Sequence, residues 1–213
     1  NVSSFCLQLT GGGVDSPTGV GSEALIYSAS TSTSDTAPNI GQDIKTFDAG
    51  ISLNGGNASS TAFGDLNTPN SVGLGAGIVT LSSQTITADS KGTGIGGIAL
   101  QGGNVAGSAA AIDMANINGT QTINAYGTNV DGDGIELVGG TANNGDEAVI
   151  YSNGIQNVTT YNGGLAINAN EATSDFQVMT SVGSTYQVAA GILANNQQTI
   201  VVTTGDLAIT GGS

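Results

Sequence analysis

Five glutamines, Gln42, Gln84, Gln121, Gln156 and Gln198, stand 42, 37, 35 and 42 residues apart, and each opens a short strand-like phrase. The phrases continue as Asp43-Ile44, Thr85-Ile86, Thr122-Ile123, Asn157-Val158 and Thr199-Ile200. In phase with them, an apolar-x-apolar pair recurs six times: Leu7/Leu9, Ile51/Leu53, Ile98/Leu100, Ile135/Leu137, Leu165/Ile167 and Leu207/Ile209. Gly-Gly follows five of the pairs, and Ala169-Asn170 follows the other. A third phrase aligns best at 21–28, 107–114 and 145–152, and more loosely at 75–81 and 187–194. Three columns that keep their order along the whole chain define a repeat of three short strands. Such a unit is too small to bury its own apolar face and must stack on its neighbours.

Period-two alternation bounded by Gly-rich turns argues for strands, and the many Gly, Asn, Ser and Thr argue against long helices. A propeller blade has a similar repeat length, but three strands with nine Phe and Tyr and no Trp fit a coil better than a blade. The sequence therefore predicts an all-β chain, a parallel β-helix (β-solenoid) of about five three-strand coils of 35–42 residues. Two smaller coils per repeat remain an alternative. The chain reads as a single domain, 1–213, with repeats at about 7–41, 42–83, 84–120, 121–155 and 156–197 and a partial one at 198–213. Variable inserts at about 29–41, 57–74 and 171–186 are expected as outer loops.

Parity puts Ile123 and Ala125 on the face of Gln121, so an inward isoleucine makes the glutamine inward or a corner residue. Stacked coils would bring the five glutamines into one column, about 4.8 Å apart. There they would bond either to one another as a structural ladder or, as corner amides, to their own turns. Gly-Gly fits a corner with positive φ or a close approach between coils.

The net charge is −14, with Lys45 and Lys91 the only basic side chains. Without clustered cations there is nothing to displace counterions from phosphates, so nucleic acid is excluded as a partner and an anionic membrane surface is disfavoured. No run reaches the roughly 18 apolar residues of a membrane span. A lyase needs a base, and a hydrolase needs converging carboxylates. The chain has no His or Arg and its acidic residues are scattered over turns, so an enzyme is not expected. No cofactor is expected either.

Asp131 and Asp133, in Asn129-Val130-Asp131-Gly132-Asp133-Gly134, resemble a calcium loop in their alternation of oxygen ligands and glycine, although a solvated turn accounts for them better. Glu23 and Glu147 hold equivalent positions with Ala109 between them, as expected of a solvated face. Thr85, Thr122 and Thr199 share an outward column that Asp43 and Asn157 interrupt. Cys6 stands in the column of Gly50, Gly97, Gly134, Gly164 and Asp206, as a small residue at the end of the solenoid or an intersubunit contact. Four Asn-x-Ser/Thr triplets, at Asn1, Asn57, Asn118 and Asn157, are explained by composition.

The phrase Gln-Thr-Ile…Gly-x-Leu-x-Ile-x-Gly-Gly-Ser…Ala-x-Ile resembles the repeat region of filamentous-haemagglutinin-like bacterial exoproteins, surface adhesins exported by two-partner secretion. The resemblance covers the repeats and not that family's secretion domain. It implies a right-handed β-helix shaft displayed or released outside the cell, with no catalytic residues to carry over. Composition agrees with an extracellular, bacterial-surface location. The first and last phrases, Leu7/Leu9 and Leu207/Ile209, show no cap and form the expected end-to-end interface. The expected partners are copies of the chain or flanking segments of a longer one. Surface glycans bound through the inserts at 57–74 and 171–186, whose aromatics are Phe63, Phe176 and Tyr186, are the alternative.

Overall fold

The computed structural model describes residues 5–11, 24–28, 41–47, 49–56, 74–89, 96–104, 108–129, 131–141, 147–170, 177–179, 185–187 and 190–211. The first coil comprises β1 (Phe5–Thr10), β2 (Ala24–Ser28) and β3 (Gln42–Phe47). The second comprises β4 (Gly50–Asn54), β5 (Leu74–Thr80) and β6 (Gln84–Asp89), and the third β7 (Ile98–Gln101), β8 (Ala109–Met114) and β9 (Thr120–Ala125). The fourth comprises β10 (Asp133–Val138), β11 (Ala148–Ser152) and β12 (Ile155–Thr160). The fifth begins with β13 (Gly164–Asn168), carries the short strands β14 (Gln177–Met179) and β15 (Thr185–Gln187), and continues with β16 (Ala190–Ala194) and β17 (Gln198–Val202). β18 (Leu207–Thr210) comes last.

These strands stack into three parallel sheets, each ordered along the chain. Sheet 1 is β1-β4-β7-β10-β13-β18, sheet 2 is β2-β5-β8-β11-β16 and sheet 3 is β3-β6-β9-β12-β17. β14 and β15 pair antiparallel as a separate hairpin, inside the third insert. The fold is thus a parallel β-helix with one three-strand coil per repeat. The alternative of two smaller coils per repeat is not seen.

In-register pairing builds the core by setting like on like. In sheet 1 Ile51 lies beside Ile98, Ile98 beside Ile135, and Ile135 beside Leu165. Sheet 3 stacks Ile44, Ile86, Ile123, Val158 and Ile200, and sheet 2 stacks Ile26, Ile78, Ile112, Ile150 and Ile192. All belong to or pack against one continuous core except Ile200, which lies in the final coil. Burial at roughly 25 cal/mol per Å2 of apolar surface makes these columns the main stabilising term.

Sheet 2 departs from simple alternation. β8 and β11 are buried at every position. Their outward side chains Ala109, Ala111, Val149 and Tyr151 form a second apolar layer with Val79. Burial on both faces explains why Ala109-Ala110-Ala111-Ile112 and Ala148-Val149-Ile150-Tyr151 read as apolar runs. Glu147, immediately before β11, is only 1% exposed. The expectation of a solvated acidic face is therefore corrected at Glu147, while Glu23 lies outside the described residues.

Bulges correct a second expectation. In β1 Phe5 pairs with Gly50 and Leu7 with Ile51, so Cys6 is the extra residue of a bulge rather than a member of the Gly50 column. Gly134 is likewise extra, because Asp133 pairs with Gly164 and Ile135 with Leu165. The side chain of Cys6 lies outside the described residues.

The Gly-Gly pairs serve close approach more than turning. Of their described members only Gly56 has positive φ, at 76°. A Cβ on Gly55 would sit 1.6 Å from the Ser108 carbonyl oxygen, a backbone atom that cannot swing away. Gly55→Ala is therefore expected to cost roughly 3 kcal/mol or more, seen as a large fall in the thermal midpoint. At Gly211, among the described residues, nothing lies within 4 Å of the corresponding point, and Gly211→Ala should leave the midpoint unchanged.

Candidate functional site

The five glutamines open the strands of sheet 3 and face the interior, where alternation places them beside the isoleucine column. The structure brings all five together. Gln84 Nε2 donates to Gln42 Oε1 at 2.6 Å, Gln121 Nε2 to Gln84 Oε1 at 2.9 Å, Gln156 Nε2 to Gln121 Oε1 at 2.8 Å and Gln198 Nε2 to Gln156 Oε1 at 2.6 Å. The second amide hydrogen of the later members is used as well. Gln121 donates to the Tyr151 carbonyl at 3.0 Å, Gln156 to Ile150 at 3.3 Å and Gln198 to Ile192 at 2.9 Å. Each of these three amides thus bonds both to the glutamine of the preceding coil and to a backbone carbonyl of a sheet 2 strand, in the following coil for Gln121 and in its own coil for Gln156 and Gln198, and not to its own turn. Gln121 and Gln156 are fully buried. An amide unpaired in that position would cost about 1–3 kcal/mol.

The spine has a direction. At every step the later coil donates and the earlier coil accepts. Gln198, exposed on the last coil, is the final donor, and its Oε1 is the position that a further coil would use.

β16, β17 and β18 are the last strands of the three sheets, and their free edges form one end face. Leu207 is 56% exposed and Ile209 is 70% exposed, whereas their counterparts Ile135 and Leu137 are wholly buried. Ile200 is exposed on the same face. Leu7 and Leu9 lie on β1 at the opposite end of sheet 1, half-buried and packed against the core. The four proposed interface residues therefore divide between the two ends.

The chain matches no known family model, curated protein or solved structure.

The turn at Asp131 and Asp133 is closed by Asn129. Asn129 Oδ1 accepts the backbone N–H groups of Asp131 and Asp133, both at 2.9 Å, and its Nδ2 donates to Glu136 Oε2 at 2.6 Å. Gly132 supplies the positive φ, 96°, between them. Among the described residues no group of three His, Cys, Asp or Glu side chains is placed to hold a metal ion. Burial raises the affinity of Asp133 for its proton, and Asp131 adds to this. Glu136 is raised by burial, then by Asp131 and Asp133, against the opposing bond from Asn129.

The outward column Asp43, Thr85, Thr122, Asn157 and Thr199 lies in register along sheet 3. Asn118 is exposed in a turn and Asn157 is half-buried. Asn1, Asn57, Phe63, Phe176 and Lys91 lie outside the described residues, as do most of the inserts at 57–74 and 171–186.

A column at the exit of sheet 3 is one that the sequence pattern alone did not reveal. Tyr126 and Tyr161 stack on adjacent coils with ring centroids 4.1 Å apart and planes inclined by 3°. Two coils below Tyr126, Phe47 holds the equivalent place, with Lys45 Nζ 5.1 Å from its ring centre. A signal exists, since each of these aromatics stands five residues after a glutamine. Lys45 also lies 3.8 Å from Asp89, an exposed pair worth little.

Gln121→Ala should cost about 3 kcal/mol, by stranding Gln84 Oε1 and a hydrogen of Gln156. Gln198→Ala, at the exposed end, should cost under about 1 kcal/mol, and chemical denaturation of the two variants measures the difference. The acidic turn should titrate in its own way. A carboxyl whose folded pKa is raised binds its proton more tightly in the folded state. Its contribution is therefore fully present below the ordinary carboxylate range and is lost as pH rises through the raised value. Glu136→Gln, which keeps the acceptor for Asn129, should raise the thermal midpoint at pH 7 by about 1–2 °C. That gain should vanish below about pH 4.

Proposed function

We propose that this chain is a structural protein, a β-solenoid segment that continues or stacks end to end into an extracellular filament or adhesin shaft on a bacterial surface. The observation that carries the reading is the open end of an otherwise regular stack. Three sheets and a glutamine spine run without interruption to a face that exposes Leu207 and Ile209, whose counterparts in the second, third and fourth coils are buried. Parallel edge strands of this kind present unpaired N–H and C=O groups, a template for a further coil. An inner lining of stacked aliphatics and amides supplies stiffness along the axis, which is what a shaft requires. The resemblance of the repeats to filamentous-haemagglutinin-like exoproteins supports the same role and location.

Sedimentation velocity and electron microscopy of the purified chain test this. Elongated species larger than the 20.7 kDa chain are expected at high protein concentration. The double substitution Leu207→Glu/Ile209→Glu should abolish them while moving the thermal midpoint by no more than about 2 °C, because both side chains are already exposed. A monodisperse monomer at all concentrations would overturn self-stacking.

A further inference from the structure

The exits of the sheet 3 strands carry a column of side chains one step beyond the last interior residue: Phe47, Asp89, Tyr126 and Tyr161. In the third and fourth coils the column holds two tyrosines, and the backbone fixes them one coil apart. Tyr126 N–H donates to the Ala88 carbonyl and Tyr161 N–H to the Ala125 carbonyl, both at 2.8 Å. Asn162 Nδ2 and Thr204 Oγ1, each one coil later, donate to the Tyr126 carbonyl at 2.6 Å and the Tyr161 carbonyl at 3.1 Å. With both main chains tied on two sides, the rings lie face to face, 4.1 Å between centroids and 3° from parallel. Their side chains are also hydrogen-bonded to each other. The hydroxyls therefore point the same way, and equivalent ring carbons face one another at about the centroid distance.

Stacking alone does not account for the hydroxyls. A phenylalanine would stack as well, and Phe47 shows that the column takes one. Both rings can be reached from solvent, Tyr126 being 36% and Tyr161 37% exposed. The bond to Tyr161, then burial and the charges of Tyr161 and Asp89, raise the Tyr126 pKa, so this ring stands as a neutral phenol. The other tyrosines have different neighbours across their strands. Tyr27 pairs with Val79, Tyr151 with Asp113 and Leu193, and Tyr186 with Val178.

We propose that Tyr126 and Tyr161 form a site of oxidative cross-linking, where peroxide acting with a peroxidase joins the two rings as dityrosine and staples the third coil to the fourth. Each phenol loses its hydroxyl hydrogen atom to the oxidant. The unpaired electron of the resulting radical is shared between the oxygen and the ring carbons ortho and para to it. The para carbon carries the side chain, so the new bond joins one ortho carbon, a Cε, of each ring. Each of these carbons then gives up its hydrogen as a proton, and each oxygen takes one up, which restores two phenols. Two C–H bonds are broken, one C–C bond is made, and one peroxide is reduced to two waters.

Two rings already in contact need no encounter, so coupling within the chain outruns coupling between chains at low concentration. The product rings turn about their side-chain bonds on the solvent side, where their exposure leaves room. The cross-link closes a loop one coil long and removes chain entropy from the unfolded state, as a disulfide does. The site belongs to the coils themselves and stands apart from the filament reading.

Dilute chain treated with hydrogen peroxide and a haem peroxidase tests this, read by intact mass, dityrosine fluorescence and peptide mapping. The expected product has the mass of a single 20.7 kDa chain less two hydrogens, with the peptides of Tyr126 and Tyr161 joined. Tyr126→Phe and Tyr161→Phe, which keep the stack, should each lower the yield of intrachain dityrosine at least tenfold. Both variants should melt within about 2 °C of the unaltered chain, so that a lost product reports the missing hydroxyl and not a lost fold. Tyr27→Phe should leave the yield unchanged. The cross-linked chain should melt about 5–10 °C above the untreated one. Dityrosine found only between chains, no dityrosine at all, or a yield that either Phe variant leaves unchanged would overturn the site. A cross-linked chain that melts no higher would overturn the staple.

Discussion

A coil of three short strands has no inside of its own. Each coil here acquires one only by lying in register on another of nearly the same pattern, and that parallel in-register pairing governs the rest. Isoleucine meets isoleucine at the same height, so the wall stays uniform in width and close-packed along the axis. The glutamines turn the same rule into a constraint. A buried primary amide has two donors and an acceptor to satisfy, and a neighbouring coil with another glutamine at the same height supplies a matching set. Slipping one strand by a single residue would turn its amide outward and its threonines inward. Slipping it by two would set the amide against an aliphatic column. The spine therefore selects one register among several that hydrophobicity alone would tolerate.

The same repetition made much of the architecture legible. The five glutamines, the six apolar pairs and the glycines behind them recur in step, and the period-two alternation of Gln121-Thr122-Ile123-Asn124-Ala125 is enough to give strand type and facing. Other features were hidden for physical reasons. Glu147 reads as surface because local alternation carries no information about what else covers a sheet, and the outer apolar layer of sheet 2 is a long-range property. Cys6 and Gly134 align one residue out because a bulge, read from one sequence, cannot be told from an ordinary difference in loop length. The Gly-Gly pairs suggest turning, yet at Gly55 the requirement is space for the Ser108 carbonyl, set by a coil 53 residues further on. The stacked tyrosines lie at a fixed distance from the glutamines, but two Tyr and a Phe in a column that also holds Asp89 make a weak pattern.

Polarity is the remaining consequence of the spine. Every described step passes a hydrogen bond from the later coil to the earlier one, and every interstrand pairing of the solenoid is parallel. The two ends of the molecule are therefore chemically different, one finishing in an amide acceptor and the other beginning in an amide donor. Two copies meeting by the same end would oppose acceptor to acceptor, or donor to donor, and would pair their edge strands antiparallel, contrary to the rest of the stack. Two copies meeting by unlike ends would continue both the spine and the sheets. A contact between unlike ends is heterologous, and where the copies stack along one axis it repeats along a line and does not form a two-fold dimer. On the proposed reading, the feature that fixes register within one chain, a column of glutamines all donating in one direction, also fixes the direction in which an assembly of chains would grow.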